Sequence, residues 1–305
     1  MNESKNPQIN DIAFKHVMEN GPNELRIPFV NELFHTDYGT NALLVPVKRE
    51  FIAGNDEKKR AGEKRADAVF TINGPDNVFH AECQTWPEND MTIRMADYGY
   101  QISKYKAVQD RNRMIFSLPK SGILYLHEKK TEDQGIVIKD GEEKIHHPLE
   151  SLYMRGYTAD ELIRQRKWFL CMYWIYCYED PVKNQKQVLE DLRYLVSALQ
   201  EADESKEIGR TAYDMVIVWL KEISMNAVRK NEELKKGIED IMKEANIYIP
   251  GVKEFQEGKQ EGRIEERISL LSDLVNDGIL DSAQAAAKAG MTEEMFMKAA
   301  GGYLK

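Results

Sequence analysis

Asp67, Glu82 and Gln84 are the residues whose types and spacing suit chemistry in this chain. Asp67 stands at the head of a strand-like run, 66–72. Glu82 and Gln84 stand near the end of the next, 78–84, across the turn sequence Asn73-Gly74-Pro75-Asp76-Asn77. Strand side chains alternate, so Val78, His80, Glu82 and Gln84 share one face while Phe79, Ala81 and Cys83 share the other. The twist of such a hairpin brings Asp67 across to Glu82. Two converging carboxylates, with the Cys83 backbone carbonyl as a further oxygen, suit Mg²⁺ or Mn²⁺. Mg²⁺ is a hard ion, often held by one or two carboxylates plus a substrate phosphate. Such a centre lowers the pKa of a bound water and neutralises charge building on a phosphodiester, and Gln84 would orient the water or a phosphate oxygen. The plainer reading of the same residues is an acidic strand face turned to solvent.

Neighbouring candidates are weaker. Asp11 and Lys15, four apart on a helix, read either as a surface ion pair or as a contribution to the metal or phosphate site. Arg94 and Tyr98, also four apart, would contact a phosphate or brace Glu82. His80 lies on the active face as a candidate base, or as a packed histidine. Trp86-Pro87 ends the strand; base stacking by the indole has no support in the sequence. Lys58, Lys59, Arg60, Lys64 and Arg65 crowd the stretch before the first clear strand, diluted by Asp56, Glu57 and Glu63, and form either a local basic face or a solvated loop.

These residues need elements to hold them. Apolar spacing predicts two short helices between Asn10 and Phe34, broken at Asn20-Gly21-Pro22, then an edge strand between Leu43 and Ile52 containing Pro46. After the hairpin, Ile93, Met95, Tyr98, Ile102 and Tyr105 mark a helix with Asn89, Asp90 or Thr92 near its start. Short strands are expected over 113–118, 122–127, 135–138 and 144–147. From Thr158, whose partner Glu161 completes a capping box, long helices are expected over 159–179, 184–200 and 205–243. Pro250-Gly251 marks a boundary. Beyond it come a polar helix over 254–267, an apolar stripe over 270–275 and a helix-turn-helix outline over 282–294, whose acidic second helix suits docking or dimerisation better than groove reading.

Composition excludes much. The chain has 305 residues, 42% hydrophobic and 30% charged, with a net charge of −9, so any nucleic-acid contact must be local. There is no Gly-rich phosphate loop, paired-histidine zinc helix, strand-flanked Gly-x-Ser-x-Gly or close cysteine pair. Cys83, Cys171 and Cys177 form no disulfide framework, no apolar run reaches membrane-spanning length, and no signal peptide opens the chain, so a cytoplasmic protein is expected.

The order Asp11-Ile-Ala-Phe14-Lys15 in a first helix, Asp67 on a strand, Glu82-Cys-Gln84 on the next and Arg94 with Tyr98 opening a helix resembles the Rpn family. These are recombination-promoting nucleases and putative transposases of the PD-(D/E)XK nuclease superfamily. The resemblance covers roughly the first half; the segment from Thr158-Ala-Asp-Glu161 and the Ala-rich tail resemble bacterial members more loosely. It implies an α/β fold with a restriction-endonuclease-like mixed sheet flanked by helices, divalent-metal-dependent DNA cleavage, and a metal site at Asp67 and Glu82. Where the superfamily usually has lysine this chain has Gln84, as in those branches with glutamine there. A neutral side chain orients water without supplying positive charge. The expected organisation is a nuclease-like core over 1–150, a helical region over 151–250 and a tail over 251–305 through which two copies pair on DNA. The competing expectation is a catalytically silent nuclease-fold scaffold.

Overall fold

A computed structural model describes residues 8–47, 66–86, 90–128 and 134–244, together with Ser282, Ala283, Ala286 and Met297. The basic stretch from Lys58 to Arg65, the end of the expected edge strand, Pro87, Asn89 and the expected tail helices lie outside the described residues, apart from those four tail positions. The chain divides into two compact units, Met1–Ile247 and Tyr248–Lys305, so the helices after residue 158 share a unit with the sheet.

Helix α1 (Gln8–Asn20) ends at Gly21, and Pro22, in extended backbone, opens α2 (Asn23–Phe34). β1 (Leu44–Pro46), β2 (Ala68–Ile72) and β3 (Val78–Gln84) follow as an antiparallel meander, with Ala68 opposite Ala81 and Thr71 opposite Val78. Helix α3 (Met91–Tyr105) then crosses back to β6 (Lys120–Tyr125), parallel to β3, after a separate small hairpin of β4 (Val108–Asp110) and β5 (Arg113–Ile115). β7 (Gln134–Asp140) and β8 (Glu143–Tyr153) complete an open mixed sheet of six strands among the described residues, ordered β1-β2-β3-β6-β8-β7. Pro148 sits where β8 has β7 as its paired neighbour; pairing with β6 begins at Leu149, so the missing N–H falls on an edge-like position. The expected strand over 113–118 is shorter, stopping at Ile115, and β4 has a single apolar residue to announce it.

The helical half is more broken than its periodicity suggests. The run expected over 159–179 resolves into α4 (Ala159–Arg164), α5 (Trp168–Cys171) and a 3₁₀ turn at Trp174–Cys177, because Arg166 takes a left-handed conformation at φ 54°. The capping box at the start of α4 is present, Thr158 Oγ1 accepting from Glu161 N–H at 3.2 Å and Thr158 N–H donating to the Glu161 carboxylate at 2.9 Å. α6 (Gln185–Glu204) is followed by Lys206 at φ 60°, then α7 (Arg210–Ala227) and α8 (Glu232–Glu244). Asn231 separates the last two by capping α8, its side-chain oxygen accepting from Leu234 N–H at 2.9 Å.

Both sheet faces are covered. On one, Phe79 packs against Phe34 and Phe70, and Gly122 lies so close to α2 that an added Cβ would come within 2.9 Å of Leu33 and Phe34. On the other, Met91 and Met95 of α3 pack with Ile123, Tyr125, Leu149 and Tyr153, and Tyr98 and Ile102 pack with Val69 and Val78. Phe14, Phe29 and Phe169 form an aromatic trio that ties the first two helices to α5, with Phe29 and Phe169 stacked at 4.1 Å. Among the described residues no helix is long and apolar enough to cross a membrane.

Candidate metal centre

All seven residues of β3 are buried, which overturns the reading of its polar face as solvated. Glu82 is 1% exposed and His80 0%, both on the face covered by α3. Burying a carboxylate is costly unless donors surround it, and they do. Glu82 Oε1 accepts from the backbone N–H of Asp67 at 2.8 Å and from His80 Nε2 at 2.9 Å, while Oε2 lies 3.7 Å from an Arg94 guanidinium nitrogen. Because a carboxylate only accepts, His80 Nε2 carries the hydrogen in this bond. Burial alone pushes the Glu82 carboxyl up, but His80, the Asp67 amide and Arg94 together outweigh it and hold the group below the ordinary range. His80 is therefore a buried partner of Glu82, with its ring edge-on to Tyr98 at 5.5 Å, and not a base with access to substrate. From α3, Arg94 faces Glu82 while Tyr98 packs on its partner His80. Burial and then the Glu82 charge push the Tyr98 hydroxyl up to about 12.

Asp67 faces Glu82 across the hairpin, but its carboxylate has different partners. One oxygen pairs with Lys15 Nζ at 2.8 Å and the other accepts from Cys83 N–H at 3.0 Å. Lys15 is thus an ion-pair partner of Asp67. Burial drives the Asp67 carboxyl well above the usual range, the charges of Glu82 and Asp11 push the same way, and Lys15 opposes them. Lys15 and Asp11 of α1 approach from one sheet face, Arg94 and Tyr98 of α3 from the other, and all converge where β2 begins and β3 ends.

These donors fit a hard divalent cation. The charges of Glu82 and Asp11 both act on buried Asp67, a repulsion that added positive charge relieves. Leu126 N–H donates to the Gln84 carbonyl at 3.0 Å, so Gln84 turns its backbone toward β6. Cys83, turned the opposite way with its N–H on Asp67, directs its carbonyl to the Asp67 side as well, because a strand residue's N–H and C=O point together. Among the described residues no three of His, Cys, Asp and Glu form a ready cage. An ion here would take Asp67, Glu82 and the Cys83 carbonyl and fill its shell with water or phosphate. Lys15, with 28% of its side chain exposed, can withdraw from Asp67 toward solvent.

Gln84 is 7% exposed, and its amide nitrogen donates to the Trp86 carbonyl. Its carboxamide is therefore fixed to the turn after β3. Trp86 in turn stacks on His127 at 4.1 Å, and His127 meets the Tyr176 ring at 4.8 Å. Asn10, beside Asp11, donates to Tyr176 Oη at 2.7 Å and to Thr85 Oγ1 at 3.1 Å, and its carbonyl accepts from Tyr173 Oη at 3.1 Å. This network, which joins the start of α1 to β3 and to the segment after α4, has no local signature. The partners of Asn10 lie between 75 and 166 residues away from it. Cys83, Cys171 and Cys177 are free thiols.

Burial, then the nearby charge of Arg155, lowers His127 from 6.5 to about 4. Between those values the unfolded chain binds a proton that the native ring refuses, so stability falls as pH drops through this window. We expect melting temperatures that are level above about pH 7 and decline toward pH 4, with part of the slope removed in His127→Gln. An NMR titration placing the His127 pKa near its ordinary value would remove this explanation.

A scan against family models and searches of curated proteins and of solved structures returned no match to this chain.

Proposed function

We propose that this chain is a divalent-metal-dependent DNA endonuclease of the Rpn type, with a restriction-endonuclease-like core. One observation carries the reading: Asp67 and Glu82 are buried together at one end of a mixed sheet, with Lys15 on Asp67 and the Cys83 backbone turned toward it. Glu82 also holds the local fold together, but Asp67 is buried against the charge of a second carboxylate, and perturbed groups of this kind cluster at functional sites. Asp67, Glu82 and the Cys83 carbonyl would hold Mg²⁺ or Mn²⁺, which when bound supplies Lewis acidity and a water of lowered pKa.

The chain's own residues do the rest. Glu82, held ionised by His80 and Arg94, keeps its oxygens fixed. Lys15, released from Asp67, offers its charge to a phosphate oxygen on the α1 side. Gln84, with its amide nitrogen tied to Trp86, has its carbonyl oxygen left to accept from the attacking water. The test is nicking of supercoiled plasmid with Mg²⁺ or Mn²⁺ by the wild type, Asp67→Asn and Glu82→Gln. Nicking that requires metal and disappears in both variants supports the reading. Equal nicking in all three proteins, or none in any where DNA binding is verified, removes it.

A second reading, a nuclease-fold scaffold that binds nucleic acid or protein without cutting, rests on the same site: Lys15 occupies Asp67 and Gln84 supplies no cation. Absence of nicking with retained DNA binding selects it. Pairing of two copies through the segment beyond residue 250 would set two centres on one duplex. Light scattering should find a dimer, and a monomer at all accessible concentrations would sink that element.

A further inference from the structure

Trp86, two residues after Gln84, faces solvent. It is 51% exposed, whereas Trp168, Trp174 and Trp219 are 6%, 0% and 4% exposed. One face of its indole lies on the His127 ring at an interplanar angle of 12°, and that ring is backed edge-on by Tyr176, itself 5% exposed and bonded to Asn10. The stack is anchored at its outer end too, since Gln84 holds the Trp86 carbonyl. An exposed indole so immobilised loses little entropy when its second face is covered.

Two arginines act on the stack, opposed in part by Asp11. Arg155 is close enough for its charge to act on His127, and its Nε is buried without a hydrogen-bond partner. The charge of Arg229 acts on Tyr176. A chain of net charge −9 thus brings two guanidinium groups within electrostatic range of an aromatic stack that begins two residues after Gln84. Aromatic faces that take bases, flanked by cations that take phosphates, are how unpaired nucleic-acid strands are held.

We propose that Trp86 is a stacking platform for an unpaired base of the DNA strand that runs into the Asp67–Glu82 centre, so that the preferred substrate carries a single-stranded segment. The proposal rests on the endonuclease reading and names its substrate class. A base on the free indole face extends the Trp86–His127 stack by one layer. Arg155 and Arg229 then lie beside the strand's phosphates.

The test uses the full chain carrying Asp67→Asn, with and without Trp86→Ala or Trp86→Phe, binding an oligo-dT strand and a duplex of equal length. The exposed-tryptophan part of the emission should be quenched by the single strand. Trp86→Ala should weaken single-strand binding about 10-fold and change duplex binding by less than about 2-fold, with Trp86→Phe restoring most of the loss. Arg155→Gln should lower the salt dependence of single-strand binding by about one counterion. Unchanged single-strand affinity in Trp86→Ala, or an equal loss for strand and duplex, overturns the platform. If the wild type nicks plasmid while Trp86→Ala binds normally, the platform fails alone. If no strand or duplex is bound and no plasmid nicked, both readings fail together.

Discussion

Glu82→Ala is expected to cost about 3–5 kcal/mol of folding stability, the range for breaking a buried charge network by removing one partner. The carboxylate is the acceptor for His80 Nε2 and for the Asp67 amide and the counter-charge to Arg94, so its loss strands two donors beneath α3 and removes the counter-charge of a third group. Glu82→Gln keeps one oxygen in place and should cost only about 1–2 kcal/mol. Urea unfolding at constant pH measures both. An alanine variant with an unshifted midpoint would mean that these bonds are not made in solution. The difference matters for any activity assay, because a protein that has lost several kcal/mol loses nicking by unfolding, whatever the role of Glu82.

Asp67→Asn should behave in the opposite way. Asparagine retains an oxygen for the Cys83 amide but removes the buried charge that Glu82 and Asp11 oppose, leaving Lys15 to turn to solvent. We expect stability equal to the wild type or higher by about 1 kcal/mol, with metal-dependent nicking reduced at least about 10³-fold, since a metal's electrostatic contribution amounts to several kcal/mol. Activity falling while stability holds is the signature of a functional carboxylate. Parallel losses in melting temperature and nicking would instead place Asp67 among the structural ion pairs.

The hairpin was the most legible part of the fold. Its turn sequence and alternation located β3 to its ends and put His80, Glu82 and Gln84 on one face, because register in a two-residue period is a local property. What covers that face is not local. Burial of His80 and Glu82 depends on α3 folding back over β3, and the Lys15–Asp67 pair joins residues on separate elements. The spacing of Asp11 and Lys15 made a neighbouring ion pair look sufficient, while tertiary placement gave the lysine a buried partner. The helix break at Arg166 escaped for a different reason: arginine does not favour a left-handed backbone, so only packing can impose it, whereas the break between α6 and α7 was expected to within a few residues. The order of strand-like and helix-like runs showed that both element types alternate in the first half, whereas the open mixed sheet flanked by helices was an expectation of the family resemblance alone.

The aromatic trio and the Asn10 network carry a consequence for synthesis. A nascent chain that has reached residue 150 contains every carboxylate of the centre, yet Phe14 and Phe29 still await Phe169, and Asn10 still awaits Tyr173 and Tyr176. Because a chain leaves the ribosome from its N-terminus, α1 cannot lock Asp11 and Lys15 against the sheet until the segment around residue 176 has emerged. The order of translation thus delays assembly of the Asp67–Glu82 end of the sheet until the segment around residue 176 is made.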